Sequence, residues 1–425
     1  MSNTCILVLG ANQFQRERSL IGIEKATNAT VITVAPNAPF HENKYPSKVI
    51  RSSETNPDVL LQDVQNYLHK SKMHLIGVIP LNDFVLNSGF VIAQFYKLPY
   101  HSAETIINCR YKNKLKQVLA NANLPVVKSY EISSFKDAET MAQKLGYPVV
   151  IKPINFGGSG GVKKVANTEE LRIAYNETLQ HLAQYAKKYD SEPDKLVMEP
   201  YISREKEVSV EVLNTPTKQY LVGITDKYLS KEPYFSEVGH FVPSALMFDE
   251  GKRNLLFELA RMACKALQIK FGLAHVEIKT NKEGDPIIIE VGARPAGDGI
   301  MDLYEKSTKY NFYKAHCESY LGNFSEDSLP KNFEYSSAVA YFHPMEGVVD
   351  SINYEISSEK LKDVDIIKTN VYKGQLIKCA QNWSTRYGYV EFTFTDETAN
   401  DFDLIAKTKI ISDSLFKIRN LCEEH

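Results

Sequence analysis

The chain has 425 residues, 43% hydrophobic and 24% charged, with 50 basic against 52 acidic side chains. That length suits two to four domains with well-buried cores, and a net charge of −2 supplies no field for nucleic acid or an anionic membrane. No apolar run reaches the ~18 residues of a membrane span, and residues 1–14 lack the basic and long apolar regions of a leader. Six cysteines (Cys5, Cys109, Cys264, Cys317, Cys379, Cys422) show neither CxxC pairing nor metal spacing. The expectation is a cytoplasmic protein with reduced thiols, several of them buried.

Residues 1–105 alternate strand and helix signals. Apolar strands are predicted at 6–9, 29–34 and 75–80, with helices opening at Asn56-Pro57 and spanning 84–96. Asn56 is a capping residue and Pro57 fits the first helical position; Val59, Leu60, Val64 and Leu68 form the apolar stripe. This reads as a small βαβ domain with a parallel sheet. The turn at Gly10 lacks GxGxxG, which argues against a dinucleotide site. Asp83, just after a strand end, suits a helix cap or a contact with substrate.

Residues 106–322 carry the chemistry. A helix around Leu115, Val118 and Leu119 and a second over 134–145 lead to a strand at 149–152. That strand ends on Lys152 and runs into Phe156-Gly157-Gly158-Ser159-Gly160-Gly161, then a strand at 162–165. Such glycines let backbone N–H groups turn inward as an anion nest. The loop joins strand to strand, so it is neither a P-loop nor a Rossmann turn, both of which feed a helix. A lysine inside an apolar strand also needs an anionic partner. Further on come a helix at 168–188, a strand at 196–202 and a strictly alternating strand placing Glu207, Ser209 and Glu211 on one face. A strand over 220–225 continues the sheet, and 227–243 has no period and reads as a loop. Helix 254–267 has the stripe Leu255, Leu259, Met262, Ala263 and Ala266, and a helical segment over 302–320 closes the unit.

Between those helices lies 275–298, HVEIKTNKEGDPIIIEVGARPAGD. Two strands flank a polar turn at 281–286. If that turn closes a hairpin, Thr280 faces Ile287 and Glu277 falls opposite Glu290. Two carboxylates in an apolar strand pair resist ionisation unless a cation lies between them, and hard oxygen ligands suit Mg²⁺. A surface hairpin with solvated acids is the bland alternative. Arg294 adds a fixed positive charge. Asp298 suits either a substrate ammonium group or a helix cap. His275 reads as a packed strand histidine, and Glu205 and Glu211 as solvated or ion-paired acids. Tyr234 and Phe235 either shape a pocket or anchor their loop.

Taken in order, these pieces resemble the ATP-grasp superfamily of carboxylate–amine ligases over residues 1 to about 320. The resemblance implies an α/β (α+β) ATP-grasp fold: an N-terminal βαβ pre-ATP-grasp domain (1–105), an ATP-grasp domain (106–322, with a lid over about 125–200) and a small β-rich C-terminal domain (323–425). It implies that Lys112 and Lys152 bind ATP phosphates under the hairpin carrying Gly157, Gly158, Ser159, Gly160 and Gly161. Glu199, Tyr201 and Ile202 match the adenine hinge, Glu207 the ribose-binding acid, and Glu277 and Glu290 the Mg²⁺ ligands, with Mn²⁺ as a substitute. The family pattern after the second acid is E-x-N-x-R; here Gly292 replaces the asparagine, which puts metal number in doubt. That departure, with Arg294 retained, resembles bacterial L-amino acid (dipeptide) ligases of the bacilysin-synthetase type. In that branch the arginine stabilises the acyl phosphate and tetrahedral intermediate, and Glu237 and His240 match its substrate-facing acid and histidine.

The implied activity is ADP-forming ligation of a small carboxylate to an amine, with no nucleic-acid or membrane partner. A kinase or carboxylase using the same nucleotide site, or a non-catalytic nucleotide-binding protein, are the alternatives. Strands at 336–342, 348–352, 365–370 and 387–394 and a helix at 398–422 make up the C-terminal segment. It carries no chemical motif, Trp383 has no assigned role, and the segment is expected to close one wall of the site or support a homodimer.

Overall fold

The computed structural model describes residues 3–12, 16–37, 48–203, 206–280, 285–395 and 402–419. Strand β1 (Thr4–Leu9), helix α1 (Glu17–Ala26), β2 (Thr30–Val34), β3 (Lys48–Ile50), α2 (Pro57–Ser71) and β4 (His74–Pro80) build a parallel sheet of order β3-β2-β1-β4. The Asn56 side chain accepts from the Val59 N–H with Pro57 in the first turn, so α2 starts where the capping chemistry predicts. Helices α3 (Leu86–Phe95), α4 (Ala103–Arg110) and α5 (Lys112–Asn121) follow.

Next, β5 (Tyr130–Ile132), α6 (Phe135–Leu145), β6 (Val149–Pro153), β7 (Lys163–Val165), α7 (Thr168–Tyr185) and β8 (Leu196–Pro200) form a second unit. Its antiparallel sheet has the order β5-β8-β6-β7, and Ala138, Ala142, Leu171, Leu182, Leu196 and Met198 give it a core of its own. The glycine-rich segment is the β6–β7 connection, a strand-to-strand hairpin as expected.

A long antiparallel sheet dominates the rest. Strands β9 (Lys206–Asn214), β10 (Gln219–Leu229) and β11 (Glu237–Val242) precede α8 (Glu250–Ala266), and β12 (Gly272–Thr280) and β13 (Pro286–Gly292) follow it. Then come α9 (Ile300–Thr308), α10 (Phe312–Leu321), β14 (Ser336–Tyr341), β15 (Gly347–Ile352), β16 (Val364–Lys368), β17 (Leu376–Ile377), β18 (Tyr389–Phe394), α11 (Leu404–Leu415) and β19 (Phe416–Arg419). The eight-stranded order β13-β12-β9-β10-β11-β14-β18-β16 joins central and C-terminal strands in one sheet, while β17-β15-β19 stand apart. One apolar core runs from Ile6 and Leu20 through Leu213 and Tyr304 to Val339 and Tyr389, tying the N-terminal sheet to both.

Several sequence expectations are corrected. Most of 227–243 is strand: β10 runs on to Leu229 and β11 starts at Glu237, because the charged side chains that break the period are paired with one another across strands. The helix of 302–320 is two helices, broken at Lys309 in a left-handed conformation and restarted by an Asn311 cap. The helix of 398–422 is shorter, its described part giving way to β19, whose Phe416 pairs with Ile352. In α8 the buried stripe is Leu256, Leu259, Ala260, Ala263 and Cys264, while Leu255 and Met262 face outward. Cys5, Cys109, Cys264 and Cys317 are buried free thiols and Cys379 is exposed; Cys422 and Glu205 lie outside the described residues.

Candidate active site

Three of these sheets, the N-terminal one, that of β5–β8 and the eight-stranded one, meet around a cleft of about 1350 Å³. Glu277 and Glu290 lie directly opposite one another in the β12–β13 ladder, as the hairpin reading requires. Beyond them the register differs from expectation. Thr280 pairs with Pro286 rather than Ile287, because a bulge beside Glu277 makes Ile289 the extra residue. Its carbonyl and that of Ile288 are taken by the buried Lys116 ammonium, at 2.6 and 2.8 Å. Burial lowers Lys116 to about 8. Lys116 was not singled out by sequence; only its place one helical turn beyond Lys112 hints at a shared face.

Both predicted phosphate lysines line the cleft. Lys112 opens α5; its Nζ donates to the Phe156 carbonyl at 2.6 Å and lies 3.4 Å from Glu290. Lys152, on β6, reaches Glu199 of the neighbouring β8 at 2.7 Å, so both charges are buried as a pair. Burial opposes ionisation of Glu199, but Lys152 and Lys116 outweigh it and lower its pKa. Between these lysines stands the glycine hairpin. Gly158 has φ +64° and a Cβ there would come within 2.8 Å of Trp383 Cδ1, so only glycine fits under the indole. The Ser159 hydroxyl donates to the Phe235 carbonyl at 2.7 Å, closing the hairpin onto the β10–β11 connection. Gly157, Gly158 and Ser159 line the cleft; Gly160 and Gly161 are not in its wall.

Glu199, Tyr201, Ile202 and Glu207 form the next stretch of wall. Glu207 is buried between Lys227 at 3.3 Å and Lys279 at 3.4 Å. Lys227 is the largest omission of the sequence reading, which assigned it to a loop. Its side chain is 1% exposed, and the ammonium lies 2.5 Å from Glu277, 2.9 Å from Glu237 and 3.3 Å from Glu207. Burial would drive it neutral, but the three carboxylates hold it charged, well above its ordinary pKa. β10 runs on past the strand predicted at 220–225 and sets Lys227 opposite Glu207 of β9. Glu277 also accepts from His275 Nε2 at 3.2 Å, and His275 Nδ1 lies 2.9 Å from Glu211. Burial would lower His275, yet Glu211 and Glu277 raise it to about 9. It is more than a packing residue: it bridges two acids at the cleft wall.

Arg294 leaves β13 just past Gly292 and donates from Nε to Asp83 at 2.7 Å. Asp83 therefore neither caps a helix, a role Asn82 takes through the Phe84 N–H, nor stands alone. Burial would raise Asp83, and the Arg294 charge overcomes it and lowers the carboxyl below its usual range. The same pair accounts for Gly292. A Cβ at 292 would lie 3.2 Å from Arg294 Nε and 3.3 Å from Asp83 Oδ1, so a side chain at this position would crowd the ion pair.

The last group gathers Glu237, His240 and Asp298, whose donor atoms all lie within 4.8 Å of one another. That spacing could hold a metal, but Arg386 takes the place. Its guanidinium grips Asp298 at 2.7 and 2.9 Å, reaches Glu237 at 3.1 Å and covers the Tyr341 ring at 3.9 Å. His240 is fully buried behind Asp298, 3.4 Å from it, and does not line the cleft. The C-terminal segment supplies part of the cleft wall, one of the two roles expected of it: Arg386 and Trp383, to neither of which the sequence gave a role, both line the cleft, Trp383 edge-on to Tyr189 at 6.0 Å. No motif surrounds either residue, so their place could be learned only from β18 joining the central sheet.

The donor set at Glu277 and Glu290 fits a hard cation. Each carboxylate faces the cleft and engages its Oε1 with the protein, while no described residue bonds its Oε2. Gly292 offers no side-chain ligand.

A family model described as the ATP-grasp domain matches residues 145–302. Alanine–anticapsin ligase of Bacillus subtilis (strain 168) is 26% identical over 216 residues, covering 47% of this chain and 44% of that protein. D-alanine–D-alanine ligase of Oceanobacillus iheyensis (strain DSM 14371 / CIP 107618 / JCM 11309 / KCTC 3954 / HTE831) is 28% identical over 202 residues, covering 46% of this chain and 52% of that one. The chain therefore spans about half the length of these curated relatives. The crystal structure of L-amino acid ligase from Bacillus licheniformis superposes with a TM-score of 0.77 over 99% of this chain and 100% of that one, at 21% identity. This last likeness extends the shared fold across the whole chain. No helix among the described residues is long and apolar enough to cross a membrane.

Proposed function

We propose that the protein is an ATP-dependent carboxylate–amine ligase, joining an amino acid or related small carboxylate to an amine, often a second amino acid, with release of ADP and phosphate. The observation that carries this reading is the opposed pair Glu277 and Glu290, both lining the cleft with one oxygen that no described residue bonds, near Lys112 and Arg294. The names of the relatives, ligases of alanine and of D-alanine, support the same chemistry.

In this reading Glu277 and Glu290 hold Mg²⁺, for which Mn²⁺ substitutes, and the ion supplies charge neutralisation for the nucleotide's phosphates. Lys112 and Lys152 offset charge on the transferring phosphoryl group, and the hairpin of Gly157, Gly158, Ser159, Gly160 and Gly161 covers it. The adenine lies against Glu199, Tyr201 and Ile202, where backbone groups read the base, and Glu207 takes the ribose. A substrate carboxylate attacks the γ-phosphate. Arg294, held rigidly by Asp83, stabilises the acyl phosphate and the oxyanion formed when the amine adds. Glu237, Asp298 and, behind them, His240 shape the substrate end. Trp383 and the hairpin exclude the water that would hydrolyse the acyl phosphate. The segments 1–105, 106–322 and 323–425 act as pre-ATP-grasp, ATP-grasp and C-terminal parts. The setting is the cytoplasm, and the C-terminal segment also suits a homodimer contact.

Gly292 favoured a non-catalytic reading only while its cause was unknown; the crowding of Arg294 and Asp83 supplies one. The test is phosphate release with ATP, Mg²⁺ and the common amino acids singly and in pairs, with mass spectrometry of the products. Pair-dependent ADP release with a dipeptide mass is the expected result. AMP as the product would overturn the acyl-phosphate route.

A further inference from the structure

Arg16 immediately precedes α1, is 5% exposed and lines the cleft from the side of the N-terminal sheet. Its NH1 donates to the Tyr313 hydroxyl at 3.0 Å and its NH2 to the Pro295 carbonyl at 3.3 Å. These bonds use two of the five N–H donors of a guanidinium, and neither partner carries charge. Apart from the exposed Lys188 and Lys368, the other cations of the cleft differ. Lys112, Lys152, Lys227, Arg294 and Arg386 each have a carboxylate within 3.4 Å. Among the described residues Arg16 has none. Asp302, the buried carboxyl that feels its charge, is itself pushed up to about 7 by burial and offsets it only in part. A guanidinium withdrawn from water without a counter-ion is costly, so a ligand anion is the natural complement.

Its position narrows which anion. Arg294 also donates to the Pro295 carbonyl, at 3.1 Å, so the two guanidinium groups converge on one oxygen. Arg294 feels Glu277 and Glu290 and is neutralised by Asp83; it stands at the reaction centre. Arg16 stands one carbonyl away, and the neutral Asn12 and Asn82 line the same cleft. In an amino acid the carboxylate lies two bonds from the amine, so an amine poised at the acyl phosphate carries its own carboxylate to a neighbouring point. We propose that Arg16 binds the free carboxylate of the amine substrate and so selects amino acids over simple amines. This rests on the ligase reading and names its acceptor class. The planar fork of arginine suits a carboxylate better than the point charge of lysine.

The experiment compares wild type, Arg16→Gln and Arg16→Lys, each with every common L-amino acid and its carboxamide as acceptor. Binding is measured by calorimetry with Mg²⁺ and a non-hydrolysable ATP analogue, so it is read whether or not product forms. Arg16→Gln is expected to weaken amino-acid binding by about tenfold or more and to leave the carboxamides unchanged, with Arg16→Lys in between. Where turnover occurs, KM for the acceptor rises in the same pattern while KM for ATP holds, which also shows the variants folded. Equal weakening of acids and carboxamides, no weakening, or loss confined to the nucleotide analogue (a phosphate contact) each overturns the proposal. Failure of the wild type to form any amide overturns the ligase reading instead, and the calorimetric comparison still decides the role of Arg16.

Discussion

Two pairs of carboxylates line this cleft, and they are treated in opposite ways. Glu237 and Asp298 are closed off by the chain itself: Arg386 sits against both, and Lys227 takes the other oxygen of Glu237. Glu277 and Glu290 are only half answered, each with one oxygen engaged by protein cations and one that no described residue bonds. Residue type is the same in both places. What separates a candidate metal site from a structural ion cluster is whether a fixed cation has already been supplied, from elsewhere in the fold, to every oxygen of both acids.

Removing that fixed cation should break the contrast. Arg386→Met leaves Glu237 and Asp298 facing each other in a largely buried setting, at a cost of about 3–5 kcal/mol of unfolding free energy. It should also make a new divalent site of Glu237, His240 and Asp298: Mn²⁺ should raise the Tm of Glu290→Gln/Arg386→Met above its metal-free value far more than it does for Glu290→Gln alone. A variant no more metal-responsive than its parent would show that the guanidinium is not what closes the cluster.

At the open pair, Glu290→Gln should lower ADP formation about 10²-fold or more and raise the Mg²⁺ concentration needed for half-maximal rate. Unchanged Mg²⁺ dependence would remove Glu290 from the ligand set. The smallest effect sharpens the role of position 292. Gly292→Asn adds the missing ligand type, yet it must displace Arg294 or Asp83, so a fall of about tenfold in kcat is expected rather than a gain. A rise in rate or in Mg²⁺ affinity would show that the ion pair yields easily and that Gly292 has another cause.

Much of the site was legible because its chemistry is local. Lys152 in an apolar strand, the glycine run between two strands, and acids facing each other across a short turn are patterns within about 25 residues, set by period and turn geometry. The register error at Thr280 came from a bulge, which inserts one residue without changing the pattern around it. The error at 227–243 has another source. Charges in a strand look like a loop until their partners are known, and Lys227 finds Glu207 and Glu277 on other strands, 20 and 50 positions away.

By itself, then, the sequence determined the parallel N-terminal sheet, the glycine hairpin, the opposed acids and the presence of Arg294, since each depends on neighbours in the chain. Only the tertiary structure decided that β14, β18 and β16 extend the central sheet and so bring Trp383 and Arg386 to the cleft. It alone decided that Arg16 meets Pro295 and Tyr313, almost 300 positions away. The physical reason is common to all of these. A buried charge is defined by what neutralises it, and here most of the neutralising partners lie on other strands or in other segments.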